Sequence, residues 1–226
     1  MVNGSELEMK TAYGVEIPEN LRELVDPNRC ALIVYDMQAG ILRQIADGTA
    51  ITERVREVLN VVRKAGIRVF YTRHLSLPSQ LMGAFQFRTA MAWQRVEDPE
   101  KVQPWFLRDS PAFQIVPEVQ PTPSEAVFDK LTMSAFEGTP LAMALRDCKI
   151  QAFLILGVAM EIGIDITCRH GADLGFVPIV IRDACGAGHQ DAADRALQTL
   201  EFLGDTVLTD SSAVSVAIES KRSKSA

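Results

Sequence analysis

The sequence predicts an α/β protein, a parallel sheet buried between two layers of helices. Three observations predict it. Ala152-Phe153-Leu154-Ile155-Leu156 is a continuous apolar run, too short for a buried helix and the right length for a buried strand; Gly157 stops it, and a helical pattern runs from near Glu161 to Gly175. Ala31-Leu32-Ile33-Val34-Tyr35 is a second such run and ends on Asp36. Runs of this kind alternate with amphipathic helical segments along the chain, the pattern of a parallel sheet covered on both faces.

Taken in order, residues 1–28 are polar, carry Pro18 and Pro27, and read as an N-terminal arm with one short helical piece. Residues 29–220 then form one domain, which opens with the strand Ala31–Tyr35. Asp47-Gly48-Thr49 is a turn and helix start. Val55, Val58, Leu59 and Val62 mark one face of a helix over Ile51–Ala65, closed by Gly66. Ile67–Tyr71 is the second strand. Residues 72–123 break the rhythm: they hold Trp93, Trp105 and a scatter of prolines, and predict an insertion with short helices of its own over a sheet edge. Such an insertion is either functional or a surface elaboration or oligomer contact. Ala126–Phe128 is a short strand leading to Asp129 and Lys130. Thr139-Pro140 opens the helix Leu141–Asp147. After the central strand and helix come the strand Val177–Ile181, with Asp183 to Gly188 at its carboxyl end, the helix Asp191–Leu203, the strand Thr206–Leu208 and the helix Ser211–Ser220. Residues 221–226 read as a basic tail.

Composition narrows the function. The 226 residues carry a net charge of −6 with no basic stripe, which argues against a nucleic-acid partner. No apolar run approaches membrane-spanning length, and the N-terminus has no basic-then-apolar signal pattern. Four cysteines without CxxC spacing fit a reducing compartment rather than a disulfide scaffold. The expectation is a cytoplasmic enzyme with a small-molecule substrate.

Three strand ends converge on one crevice: Asp36, Lys130 and the bend at 157–163. A strand delivered onto a helix amino terminus makes a cradle of N–H groups, and ligands of open α/β sheets bind at such strand ends. Burial raises a carboxyl pKa and a nearby ammonium lowers it, so an Asp–Lys pair suits proton transfer.

At these residues the chain resembles the isochorismatase-like hydrolase superfamily, the cysteine hydrolases, over about residues 29–215. The matching pieces are Ala31 to Gln38, Lys130 with Ser134 to Leu141, Gly157 to Gly163 with Thr167, Ala172, Leu174 and Gly175, and Asp183-Ala184-Cys185. The resemblance implies a three-layer α-β-α fold with six parallel strands in the order 3-2-1-4-5-6, assembly into homodimers or homotetramers, and a cis peptide at Val158–Ala159. It also implies a triad of Asp, Lys and Cys. Asp36 and Lys130 match the first two, and Gly163 stands where the cysteine belongs. Cys30, Cys148, Cys168 and Cys185 offer no replacement: on the helix, Cys168 faces about 140° away from residue 163, and Cys185 ends a neighbouring strand.

A minority branch, the true isochorismatases, also resembles this chain in carrying Gly at that position. There a vinyl ether is protonated at carbon and water adds without an enzyme nucleophile. On that pattern Asp36 is the acid, Lys130 its partner or an anchor for a substrate carboxylate, and Gly163 the space for substrate or water. Glu161 departs from it, since a His is common there. Thr72-Arg73-His74 retains one His of a metal-site pattern, so no metal and no cofactor is expected. Gln38, His74, Trp93, Phe136, Val158, Ala159 and Met160 are the candidate substrate-contacting residues, with His170 and His189 as surface groups. Three readings follow: thiol-free cleavage of an enol ether, amide or ureide hydrolysis with the nucleophile lost or replaced, and a catalytically silent binding protein.

Overall fold

In the computed structural model, which describes residues 9–222, six parallel strands make the central sheet. They are β1 (Cys30–Tyr35), β2 (Arg68–His74), β3 (Ala126–Lys130), β4 (Ala152–Val158), β5 (Val177–Gly186) and β6 (Val207–Thr209). Their spatial order is 3-2-1-4-5-6, as the resemblance implies. The six residues of β1 and the seven of β4 are all buried, because both strands are central and covered on both faces.

Side-chain alternation along β1 divides the core. Leu32 and Val34 face α1 (Gly48–Lys64), which contributes Val55, Val58, Leu59 and Val62, and the C-terminal helix α6 (Ser211–Arg222). Ala31, Ile33 and Tyr35 face the opposite layer, made by α3 (Leu141–Asp147), α4 (Asp165–Asp173) and α5 (Gln190–Leu203). The insertion supplies α2 (Ala84–Gln94) and four short 3-10 turns.

Several boundaries differ from the sequence reading. The arm holds, besides the helical piece Leu21–Leu24, an exposed hairpin of Lys10–Ala12 and Val15–Ile17, joined through Tyr13 and Gly14, both at positive φ. Three-residue exposed strands leave no hydrophobic alternation to read. β5 continues past Ile181 to Gly186, its register with β4 shifting between Ile155 and Gly157. The last helix runs through Arg222, so Lys221 and Arg222 belong to it and not to a tail; 223–226 lie outside the described residues. No helix among the described residues is long and apolar enough to cross a membrane.

Candidate active site

The carboxyl ends of β1, β2 and β4, with Met133 from the loop after β3, meet at one cavity of about 370 Å³. Each end is locally forced. Asp36 follows β1 in the left-handed region (φ 47°), a conformation Asp tolerates better than bulky residues, and its N–H donates to the Thr72 carbonyl (3.2 Å). Gln38, fully buried, ties this turn down: its side-chain N–H₂ donates to the carbonyls of His74 and Phe113 (both 3.0 Å), and its Oε1 accepts from the His74 N–H (2.6 Å).

Lys130 ends β3 with a fully buried side chain. Its Nζ donates to Asp36 Oδ2 at 2.6 Å and to the Thr132 carbonyl at 3.2 Å, and lies 4.3 Å from the centre of the Tyr35 ring. Thr72 Oγ1 donates to the other Asp36 oxygen at 2.7 Å. Burial pulls the Lys130 ammonium below its ordinary pKa against the pull of Asp36. Asp36 thus stands at the cavity wall with the Lys130 ammonium in direct contact behind it.

Gly157, the last residue but one of β4, has φ 121°, and a side-chain carbon there would stand 2.1 Å from the Tyr35 carbonyl, so only glycine fits. The Val158–Ala159 peptide is cis. A π-helical turn, Met160–Ile164, then leads into α4. Within it the N–H groups of Ile162, Gly163 and Ile164 converge on the Ala159 carbonyl at 3.4, 3.1 and 3.2 Å. Thr167 Oγ1 donates to the Gly163 carbonyl (2.6 Å) and accepts from the Ala135 N–H (3.0 Å), fixing the turn against the loop after β3.

Gly163 lines the cavity, and the Tyr35 hydroxyl fills the space in front of it. A Cβ on residue 163 would fall 2.0 Å from Tyr35 Oη. Tyr35 is 2% exposed and donates its proton to the Met133 carbonyl. Burial, and then the neighbouring Asp36, hold its phenol well above the ordinary pKa, so it stays protonated.

Of the other sequence candidates, His74, Trp93, Val158 and Ala159 line the cavity. Three do not. Gln38 is spent on backbone groups. Phe136 packs against Phe153, Phe176 and His170 in the core, and Met160, 1% exposed, belongs to the same cluster. Met160 opens the π turn and is buried there. His170 is also no free surface group, since its Nδ1 bonds Ser134 Oγ at 2.8 Å. None of the four cysteines lines the cavity. Burial pushes the Cys30 thiol up to about 12 and those of Cys168 and Cys185 well above the ordinary range. Cys148 sits at the carboxyl end of α3.

Sequence reasoning passed over Tyr35 and Arg95 as site residues and read Glu161 only as a departure from the Gly-bearing branch. Glu161 Oε1 accepts from the N–H groups of Gly188 and His189 (both 2.8 Å), while its Oε2 is buried with no partner among the described residues. Arg95, exposed at the cavity rim after α2, has no ion pair among the described residues. Tyr35 was legible only as the one hydroxyl-tipped residue closing an aliphatic run. Among the described residues no three His, Cys, Asp or Glu side chains form a cluster able to hold a metal.

His74, packed against Trp93 and Phe106, has its pKa lowered to about 4 by burial and then by the Lys130 ammonium. The folded chain thus binds this proton more weakly than the unfolded chain. The resulting stability is complete above about pH 6.5 and is lost as pH falls towards 4, by about 3 kcal/mol. Urea titrations of the wild type and of His74→Gln from pH 7 to pH 4 are expected to show the wild type losing about that much more stability; parallel losses would refute the assignment.

Comparison with known proteins adds the family. The isochorismatase domain model matches residues 30–212. The ureidoacrylate amidohydrolase RutB of Serratia proteamaculans (strain 568) is 27% identical over 196 residues, 79% of each chain. Among solved structures, a cysteine hydrolase from Pseudomonas syringae pv. phaseolicola 1448A superposes with a TM-score of 0.75 at 22% identity, covering 87% of this chain and 95% of that one. N-carbamoylsarcosine amidase from Thermoplasma acidophilum superposes with a TM-score of 0.66 at 20% identity, covering 81% and 96%. These two likenesses speak to the fold. With the domain model spanning the whole sheet and the residues around the cavity, the chain belongs to the isochorismatase family and is a hydrolase.

Proposed function

We propose that this hydrolase cleaves a small anionic enol ether by protonating its double bond and adding water, with no covalent enzyme intermediate. The observation that carries the reading is the set of groups at the reacting corner. An acyl-transfer enzyme needs a nucleophile and free N–H donors for an oxyanion. Here residue 163 has no side chain and its N–H is committed to the Ala159 carbonyl. The corner instead presents acceptors, the Asp36 carboxylate and the Tyr35 oxygen, which favour a developing cation.

In this reading the Lys130 proton moves to Asp36 Oδ2 across their 2.6 Å contact, and Asp36 then hands that proton to the terminal alkene carbon, which leaves Asp36 a carboxylate and Lys130 a neutral amine. The lowered Lys130 pKa favours that release. Water then adds to the oxocarbenium carbon and its proton returns through Asp36 to Lys130. The hemiketal collapses to a carbonyl and an alcohol, the hydroxyl proton moving by way of Asp36 to the departing oxygen. Lys130, buried behind Asp36, is the electrostatic partner and not a carboxylate anchor. That anchor is Arg95 at the rim, while Trp93, Trp105 and Phe106 cover the apolar body and Glu161 Oε2 takes a substrate O–H or N–H.

The likeness to a ureidoacrylate amidohydrolase favours a second reading, in which the same water cleaves an amide or ureide C–N bond. Matched panels of carboxylated vinyl ethers and of ureido and amide acids separate the two. Turnover is expected on the ethers, and turnover confined to the C–N panel would overturn the first reading. Self-association as a dimer or tetramer belongs to the proposal and is supported by the exposed Ile162 and Ile166 beside the site; a cytoplasmic setting is supported by the four free cysteines.

A further inference from the structure

We propose that Tyr35 holds the attacking water, its hydroxyl oxygen standing where the side chain of residue 163 would begin. The inference rests on the thiol-free reading above and deepens it. A Cβ on residue 163 would lie 2.0, 2.3 and 2.5 Å from Oη, Cζ and Cε1 of Tyr35, so this residue occupies the space a nucleophilic side chain needs. The position is fixed. Tyr35 closes the central strand β1, pairs in register with Gly157, and packs its carbonyl against that glycine. Its ring lies beside the Lys130 ammonium, and it shares the cavity wall with Asp36 and Gly163.

The hydroxyl has one proton, and that proton goes to the Met133 carbonyl. The oxygen is thereby an acceptor towards the cavity. A water donating one hydrogen to Tyr35 Oη and the other to Asp36 presents a lone pair to the cationic carbon. The new C–O bond forms from that lone pair, the water O–H bond towards Asp36 breaks, and the proton passes to the carboxylate. Tyr35 is unchanged throughout.

The rival explanation is purely structural, with the hydroxyl serving only to tether the Met133 loop. Tyr35→Phe separates the two when assayed in D₂O with a carboxylated vinyl ether. Loss of the water-holding group is expected to lower kcat about 10²-fold, with KM within about twofold and the thermal midpoint nearly kept. It also leaves a longer-lived cation, which returns a proton to Asp36 more often than it captures water. Unreacted substrate recovered from the variant is therefore expected to carry deuterium at its alkene carbon, and substrate recovered from the wild type is not. Wild-type kcat in the variant, or a rate loss with no deuterium in recovered substrate, would overturn the role of Tyr35. A wild-type product without carbon-bound deuterium would instead overturn the functional reading, so the two failures are distinct.

Discussion

Asp36→Asn is expected to lower kcat by about 10³-fold or more with little change in KM, because it removes the group through which every proton passes. It also leaves the Lys130 ammonium buried with its carboxylate partner gone. Breaking a buried pair from one side costs about 3–5 kcal/mol, whereas replacing both partners by neutral groups of similar volume costs far less. The side chains of Asp36 and Lys130 are 5% and 0% exposed, so this asymmetry applies in full. The double variant Asp36→Asn with Lys130→Met is therefore expected to be more stable than Asp36→Asn alone and equally inactive. Denaturant titration together with steady-state kinetics on the wild type, Asp36→Asn, Lys130→Met and the double variant checks this. Activity that recovered along with stability would show that the pair serves the fold and not the chemistry.

Gly163→Cys, which supplies the residue type that the family resemblance implies at this position, is expected not to create a working thiol. The new Cβ would lie 2.0 Å from Tyr35 Oη, and Tyr35 has nowhere to go: it is buried, anchored to Met133 and flanked by Lys130. Overpacking a filled core costs about 1–3 kcal/mol and distorts its surroundings. The thermal midpoint of the single variant should fall by several degrees. Tyr35→Val combined with Gly163→Cys opens the space, and the pair is expected to be more stable than the two single effects add up to. Its thiol, beside the Asp36–Lys130 pair, should react with iodoacetamide near neutral pH, where the single variant reacts slowly. A single Gly163→Cys protein with the wild-type midpoint and a reactive thiol would show that Tyr35 is movable and the glycine incidental.

The pair of positions 35 and 163 also shows where the sequence stops being legible. The strands could be read because central parallel strands are buried on both faces and must be continuously apolar, as in Ala31–Tyr35 and Ala152–Leu156. Asp36 and Lys130 could be read because a polar residue closing such a run sits at the sheet's carboxyl edge. What a glycine at 163 faces could not be read, because the contact joins residues far apart in the chain and on different elements. The π turn that Met160 opens leaves no mark in the 3.6-residue pattern. Gln38 looked like a ligand-binding amide beside the acid, and its bonds to His74 and Phe113 exist only once the insertion has folded over β2. Phe136 looked like a cavity wall, but the loop after β3 carries it into a cluster with Phe153 and Phe176.

The central claim is that a proton, and no thiol, opens the reaction. Turnover of a carboxylated vinyl ether in D₂O, stopped early and read by mass spectrometry of the carbonyl product, tests it most directly. The account predicts one deuterium on the former alkene carbon of every product molecule. Product formed without carbon-bound deuterium would contradict it.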